Sequence, residues 1–202
     1  MRLVRCLLLV ATLAALSACG NLFVSHQPTL LLYELRAPPA VAAPTRLEAT
    51  LVVARPLARP GLDTDRIVVR LADHRVDSYA GARWSAPLPD MLQALLLDTL
   101  RASGGWQAVS SDRAEFSGRQ LLQPEIREFV ADYTGGAGPP TVRVTLIATL
   151  GTSSGTQPTA NLEAHAEVVA SADRQREVIA AFQSACERAT VALQEAVHAA
   201  AR

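Results

Sequence analysis

The chain has no lysine, and its 19 basic residues are all arginine. This absence excludes enzymes that form a Schiff base on a lysine side chain. It also excludes a nucleotide-binding loop of the Walker A type, whose lysine contacts the phosphates. The 19 arginines are balanced by 19 acidic residues, so there is no excess positive charge to neutralise a nucleic acid. We therefore expect no nucleic-acid partner, and we expect any ATP used in the pathway to be hydrolysed by another chain.

The first 18 residues have the layout of a secretory signal peptide. Arg2 and Arg5 give a positive start, and the apolar run over residues 6–16 is interrupted only by Thr12. This run is too short to span a bilayer, which takes roughly 20 apolar residues. Residues 1–18 are therefore assigned to a signal peptide, and the protein is expected to leave the cytoplasm.

The signal peptide ends on Leu16-Ser17-Ala18-Cys19, which resembles the lipobox of bacterial lipoproteins. The resemblance implies cleavage between Ala18 and Cys19 and lipidation of Cys19, whose thiolate can take a diacylglycerol as a thioether. The alternative is an ordinary signal peptide with a chance cysteine. In the first interpretation residues 19–28 are the lipidated N-terminus and a tether, and residues 29–202 form one domain.

Cysteine is also scarce. Cys6 is removed with the signal peptide and Cys19 is acylated, so the mature chain keeps a free thiol only at Cys186. One thiol cannot form an intramolecular disulfide. Cys186 lies on the apolar stripe of a predicted helix, which favours a small core residue. The alternative is a reactive or intermolecular thiol.

Several segments alternate apolar and polar residues, as half-buried strands do. These segments are residues 47–53, 66–71, 120–133, 142–150 and 162–168. The last three are joined by loops rich in Gly, Pro, Ser and Thr, which predicts a meander. The leucine-rich residues 29–35 predict a buried strand. Pro124 has no N–H to donate to a neighbouring strand, which suggests a sheet edge or a bulge.

Two segments have the period of amphipathic helices. The first follows Pro87 and Pro89, which suit a first turn, and ends at Gly104-Gly105. The second begins near Ser171 or Asp173 and continues towards the C-terminus with one apolar stripe. Together these elements predict an α+β fold, with an antiparallel-rich sheet and two main helices packed on one face.

Two loop segments carry residue types that occur in active sites. Gly151-Thr152-Ser153-Ser154-Gly155 matches the nucleophile-elbow pattern, whose mechanics need a helix after the turn. Here a strand follows instead, which favours a hairpin loop. Asp73, His74 and Asp77 form a second cluster, but no nucleophile is near them in the sequence, so they are interpreted as a surface turn.

Glu163, His165 and Glu167 share one face of a predicted strand, where they could hold a divalent metal. An amphipathic strand gives the same spacing, so a solvated face is favoured. His26 and His198 have no partners evident in the sequence. We therefore expect no catalytic residues, no metal and no cofactor, and we expect that the protein is not an enzyme.

A series of short motifs follows the lipobox in a fixed order. They are Tyr33-Glu34-Leu35, Leu51-Val52-Val53, Arg55-Pro56, Asp65-Arg66-Ile67-Val68-Val69-Arg70 and Arg83-Trp84-Ser85-Ala86-Pro87-Leu88. The last of these, directly before the first helix, is the most specific. This order resembles the ABC-type transport auxiliary lipoprotein component family, the PqiC-like group. A later strand at Phe129, the meander and the C-terminal helix also fit, so the resemblance covers most of the mature chain.

The resemblance implies a lipid-anchored auxiliary subunit on the periplasmic face of the outer membrane. Its implied partners are an MCE-domain protein, an ABC permease and an ATPase of the same system. The implied role is to assist lipid transfer between the inner and outer membranes by binding proteins, as a homo-oligomer. The alternatives are an outer-membrane assembly or structural envelope lipoprotein with a similar α+β domain and, third, an anchored hydrolase.

Tyr79 and Trp84 are candidate interface residues, because Tyr and Trp are enriched in binding hot spots. For Trp84 the alternative is packing at the start of the first helix. Val52, Val68 and Ile147 are apolar positions left outside the predicted core. They are candidates for an interface with a partner or a second copy, unless a loop or a second layer covers them.

Overall fold

The computed structural model describes residues 29–114, 120–152 and 158–202, where it has nine strands and two helices. The strands are β1 (Leu31–Tyr33), β2 (Leu47–Val53), β3 (Leu57–Ala58), β4 (Arg66–Arg70), β5 (Val76–Trp84), β6 (Trp106–Ser111), β7 (Gln120–Asp132), β8 (Thr141–Thr152) and β9 (Pro158–Val169). The helices are α1 (Leu88–Ala102) and α2 (Gln175–Ala200). The α+β class and the two helices are therefore confirmed. Among these described residues, no helix is long and apolar enough to cross a membrane.

Strand β7 is the axis of the sheet. β8 lies antiparallel along one edge of β7 over its whole length, and β9 lies antiparallel along β8. The predicted meander is thus confirmed. Val144 of β8 is opposite both Phe129 of β7 and Ala166 of β9, so these three side chains share one face.

The other edge of β7 is divided among three short strands that all run parallel to it. β2 pairs with Gln120–Leu122, β3 with Glu125–Ile126 and β4 with Ala131–Asp132. The segment of residues 51–70 therefore follows β7 as a single strand with two interruptions.

Pro124 lies within this central strand, so the expectation of a sheet edge there is wrong. The residue falls between Leu122, where the pairing with β2 ends, and Glu125, where the pairing with β3 begins. Its missing N–H is tolerated because no strand is paired at that point with the edge of β7 that β2 and β3 share. A register shift is present nearby, between Ile126 and Glu128.

The sheet is mixed, and the expectation of an antiparallel-rich sheet is wrong. β1 on β5 and β6 on β2 are parallel pairs too, whereas β4 and β5 are antiparallel. The alternation of residues in a strand reports which side chains face the core, but not the direction of the neighbouring strand. The parallel pairs join segments distant in sequence, such as β2 and β7, which no local pattern identifies.

Strand β1 corrects a second expectation, that residues 29–35 form a buried strand. Only residues 31–33 pair, in parallel with the end of β5, and nothing pairs with their other side in the part of the chain that the structure describes. Leu30, Leu31 and Leu32 are exposed, whereas Leu35 is buried. The run of leucines is therefore an uncovered edge of the sheet.

Both helices pack as their patterns predict, although α2 begins at Gln175, slightly after the expected start near Ser171 or Asp173. α1 has Pro87 at its N-cap and Pro89 in its first turn, and it ends before Gly104, whose φ of 64° is in the left-handed region that favours glycine. α2 packs on β8 and β9, and α1 packs on β6 and on α2. The Asp90 carboxylate in the first turn of α1 accepts a 2.9 Å bond from Arg55 Nε, which joins this helix to the end of β2.

The centre of the core is a group of three aromatic rings from separate elements. Trp84 of β5 meets Phe129 of β7 and Phe182 of α2 edge-on, at centroid distances of 5.9 and 5.3 Å, and the two phenylalanines stack at 5.1 Å. Cys186 lies one turn further along α2 and is fully buried, which confirms it as a small core residue. Burial raises the pKa of its thiol to about 12, so it stays protonated and unreactive.

Candidate interaction surface

The meander β7–β9 has one face covered by α2 and one face without a covering helix or sheet among the described residues. On the uncovered face, charged and polar side chains from four strands are linked to one another. We call this group the open-face network; its members are Arg70 of β4, Glu128 and Asp132 of β7, Arg143 and Thr145 of β8, and His165 and Glu167 of β9.

Asp132 is the centre of the network, and its side chain is only 7% exposed. It accepts bonds from Arg70 Nη1 at 3.2 Å and from Arg143 Nε at 3.1 Å. The backbone N–H and the hydroxyl of Thr134 bind its other oxygen. Burial alone raises the pKa of Asp132, but the Thr134 bonds and the two guanidinium charges outweigh it and hold the pKa below its ordinary value. Asp132 is therefore ionised, and both of its carboxylate oxygens already accept hydrogen bonds.

The remaining members surround Asp132 and are more exposed. Arg70 Nη2 lies 3.0 Å from Glu128, and Arg143 pairs with Glu167. Thr145 links the two branches, since its hydroxyl is 3.3 Å from Glu128 and 3.0 Å from His165 Nδ1.

His165 Nε2 in turn lies 3.2 Å from Glu167. The arginines and glutamates at the rim keep between a quarter and two-fifths of their side-chain surface exposed. The network thus presents rigidly held charges of both signs to a partner.

One hydroxyl of the network lies next to a base, that of Thr145 beside His165, but the Thr145 side chain is buried and its hydroxyl also lies 3.3 Å from Glu128. Glu163, His165 and Glu167 are all exposed, as expected for a solvated face. In residues 29–114, 120–152 and 158–202, no three His, Cys, Asp or Glu side chains are arranged to hold a metal ion. Paired charges at a rim contribute specificity and association rate more than affinity.

A shallow cavity of about 190 Å³ adjoins the network, between β4, β7 and the loop of residues 59–62. Its lining includes Val68, Val130, Arg59 and Arg127. Val68 is buried, so it is not an exposed interface position. Val52 is buried as well, and only Ile147 keeps a partly exposed side chain.

The two candidate aromatic residues lie in different surroundings. Trp84 is 1% exposed within the aromatic group of the core, so it packs before α1 and has no surface for a partner. Tyr79 is half-buried, and its hydroxyl lies 2.5 Å from that of Tyr133, which donates to Asp173 at 2.7 Å. Burial raises the pKa of Tyr79, so the hydroxyl is neutral. An interface role for Tyr79 stays a prediction.

The loop clusters have no catalytic arrangement in the described residues. Gly151 and Thr152 end β8, and the next described residues, from Pro158, begin another strand, β9. Ser153 lies outside the described residues. Asp73 pairs with the exposed Arg75 in a single 3-10 turn, in keeping with a surface turn.

His198 is buried near the end of α2 against the Ala/Pro-rich segment that precedes β2. Its Nε2 lies 3.3 Å from the Thr45 hydroxyl, and burial lowers the pKa of its ring. A Cβ on Gly105 would lie 2.6 Å from that of Ala43 and 2.9 Å from His198 Nδ1. His198 thus packs a connecting segment and has no access to a substrate. Ala18, Cys19 and His26 lie outside the described residues.

Sequence reasoning considered His165 and Glu167 but did not identify the other members of the network as site residues; these are Arg70, Glu128, Asp132, Arg143 and Thr145. Asp132 is the last residue of its strand, where the alternation gives no clear face. The available signal was the pair Arg143 and Glu167, outward-facing charges of opposite sign on neighbouring strands of the meander. Such pairs are the unit of stabilisation on a sheet face.

Comparisons with known proteins show which family the chain resembles. The model described as ABC-type transport auxiliary lipoprotein component matches residues 33–193. The chain is similar to a crystal structure of a DUF330-family protein from Xanthomonas campestris, with a TM-score of 0.76 and 26% sequence identity over 84% of this chain and 96% of that one. The crystal structure of an uncharacterized protein is similar in fold, with a TM-score of 0.65 and 17% identity over 84% and 99%. No curated protein is a significant match.

Proposed function

The chain belongs to the ABC-type transport auxiliary lipoprotein component family, and we propose that it is a lipid-anchored, non-catalytic subunit of an MCE-type ABC transport system. The observation that carries the proposal is the family match, which spans residues 33–193 and so includes both helices in large part and all the strands from β2 to β9. The family description makes the chain a transport-associated envelope lipoprotein. We further propose that this transport system is of the MCE type and that the subunit assists lipid transfer between the two membranes.

The subunit acts by binding other proteins, and the open-face network is the surface that we assign to this role. Most uncovered sheet faces in small domains carry scattered polar residues. Here the charges are linked across four strands around the buried Asp132, so they hold fixed positions in the free protein. A pre-ordered polar surface loses little side-chain freedom on binding. The partner is the periplasm-spanning MCE-domain chain, which connects this subunit to the permease and the ATPase, and the subunit itself forms a homo-oligomer.

Capture of the MCE-domain protein from solubilised membranes tests the role of the open face. The test variant is Glu167→Arg, which reverses a rim charge without removing a contact of Asp132. The matched control is Glu195→Arg, the same reversal at an exposed residue of α2. We expect Glu167→Arg to weaken binding by about tenfold or more, since like charges brought together at an interface are strongly unfavourable. The control is expected to bind like the wild type.

The oligomeric state of the purified wild-type protein, measured by light scattering, accompanies this test. If the wild type is a strict monomer and captures no MCE-domain protein, the transport role fails. An envelope assembly or structural lipoprotein is then the better description. If the wild type binds and both variants bind equally, the transport role stands and the partner uses another surface.

Cys19 is the proposed site of lipidation, with cleavage after Ala18 and the anchor in the outer membrane. Gly20 and Asn21 follow the cysteine, and by resemblance an Asp at the first of these positions favours retention in the inner membrane. Two or more acyl chains hold a protein stably at a bilayer. The wild type should therefore sediment with outer-membrane fractions on a density gradient and carry the mass of the lipid. Cys19→Ala should be unprocessed or soluble, and unchanged mass and fractionation would contradict the assignment.

A further inference from the structure

The exposed leucines of β1 end a long stretch of sequence without formal charge. No Asp, Glu, Lys or Arg occurs from Cys6 to Tyr33, and the first charged residue after Arg5 is Glu34. Downstream of Cys19 this stretch contains Leu22-Phe23-Val24 and then Leu30-Leu31-Leu32. Charged side chains are what normally keep a surface segment away from a bilayer.

The structure leaves all three leucines uncovered. Leu30, Leu31 and Leu32 are 49%, 48% and 63% exposed, although consecutive residues of a strand point to opposite faces. Both faces of β1 are therefore accessible. The other large apolar side chains that are exposed in the described residues lie singly: Val41 before β2, and Leu57, Val76 and Val169 on three different strands. Clustering of exposed apolar side chains, rather than single exposure, marks an interaction site.

The leucines are also close to the proposed anchor along the chain. Eleven residue steps separate Cys19 from Leu30, and a chain of that length spans at most roughly 40 Å. Strand β1 is therefore the described element that is tied most closely to the membrane. β9 stands at the far end of the strand sequence β1–β5–β4–β7–β8–β9, about 24 Å from β1 at the usual spacing between strands.

We propose that Leu30, Leu31 and Leu32 rest in the interfacial layer of the bilayer that holds the anchor. This inference rests on the proposed lipidation of Cys19. The layer is the headgroup region and not the hydrocarbon, because the outer backbone N–H and C=O groups of β1 have no strand partner and need water. Seated in this way, β1 is the strand nearest the membrane, and the strands that carry the open-face network lie farther from it.

The chain is well suited to a site-specific test, because its cysteines are already excluded from labelling. Cys19 is blocked by the lipid, and Cys186 is buried with its thiol pKa raised to about 12. Two single-cysteine sites of equal exposure are available, Leu32→Cys on β1 and, as the matched control, Leu57→Cys on β3 at 60% exposure. Each full-length lipidated variant is labelled with the fluorophore NBD and reconstituted into vesicles of phosphatidylethanolamine and phosphatidylglycerol, with or without a nitroxide on the acyl chains.

We expect nitroxide to quench the label at residue 32 about threefold more than the label at residue 57, since interfacial groups lie within 5–10 Å of the acyl boundary. Adding Leu31→Asp beside the labelled cysteine should bring the quenching back towards the control value. Equal quenching at both sites overturns the proposal. The proposal is also overturned if the fluorescence emission of the label at residue 32 is shifted to the blue but is not quenched by the nitroxide. A second copy or a protein partner then covers the leucines. Failure of the anchor is detected separately, by intact mass and by flotation of the chain with the vesicles.

Discussion

The two faces of the β7–β9 meander are built from alternate residues of the same strands. On the covered face β8 presents Val142, Val144, Leu146, Ala148 and Leu150, all at most 1% exposed. On the open face the intervening Arg143 and Thr145 belong to the open-face network. A one-residue slip in register would exchange the two faces, so both are specified by one alternation. The covered face stabilises the fold by apolar burial, whereas the open face holds charges whose net contribution to stability is small.

The largest effect is expected on the covered face, at the centre of the core. Phe129→Ala removes a ring that stacks on Phe182 and meets the edge of Trp84, and the cavity left behind should cost about 3–5 kcal/mol of unfolding free energy. For a chain of this size the melting temperature should fall by roughly 10 °C. Urea and thermal unfolding measure both. The control is Glu128→Gln, the adjacent residue on the opposite face; an equal loss in the control would abolish the contrast between the faces.

A smaller loss is expected at the one buried charge of the open face. Asp132→Asn leaves the guanidiniums of Arg70 and Arg143 without their shared carboxylate, which should cost about 2 kcal/mol, less than a fully buried pair because both arginines are partly exposed. Glu163→Gln, an exposed change on the same face, serves as the control and should be neutral. If Asp132→Asn were also neutral, the open face would contribute nothing to the stability of the domain.

The pH dependence of this loss sharpens the comparison. The pKa of Asp132 is lowered from its ordinary value of 3.8 in the folded state, so its contribution to stability is complete above that pH and is lost as the pH falls through the folded value. The difference in unfolding free energy between the wild type and Asp132→Asn should stay constant from neutral pH down to about pH 4 and narrow below it. A difference that widened in acid would mean that the pKa is raised instead.

The smallest effect is expected at the rim of the open face. Glu167→Gln removes one charged partner that Arg143 and His165 share. The Glu167 side chain is two-fifths exposed, and exposed ion pairs contribute little to stability. The unfolding free energy should change by less than about 0.5 kcal/mol, as measured by urea titration. A loss comparable with that of Asp132→Asn would show that the rim and the centre of the network act as one buried unit.

The sequence predicts the covered face well because burial imposes a period. The alternation in β8 and β9 and the stripe of α2 identify Val144, Ala166 and Phe182 as core residues, and Pro87 and Gly104 mark the ends of α1. What it misses depends on contacts between distant segments. The parallel pairing of β2 with β7 has no local signature, so from the sequence Pro124 suggests a sheet edge or a bulge, although it lies in the central strand.

The open face was harder to predict for the same reason. Arg143 and Glu167 are recognisable as outward-facing, but their meeting with Asp132 depends on the register of β7 against β8. The exposure of Leu31 was also unpredictable, because an apolar strand is normally buried and only the sheet order makes β1 an edge. Trp84 shows the converse: a residue type common in interfaces lies in the core, because α1 begins directly after it.

The sharing of one edge of β7 by β2, β3 and β4 governs the order in which the chain can fold. The meander joins neighbours in sequence, so its hairpins close quickly once the chain is complete. The pairing of Leu51 with Gln120 instead closes a loop of about 70 residues, and β3 and β4 also pair with β7 only after it is available, whereas β4 pairs with β5 independently of β7. In a chain that emerges N-terminus first, β2, β3 and β4 are released before the strand that organises them exists. We therefore expect the nascent or exported chain to depend most on chaperones during the interval between the emergence of β2 and that of β7.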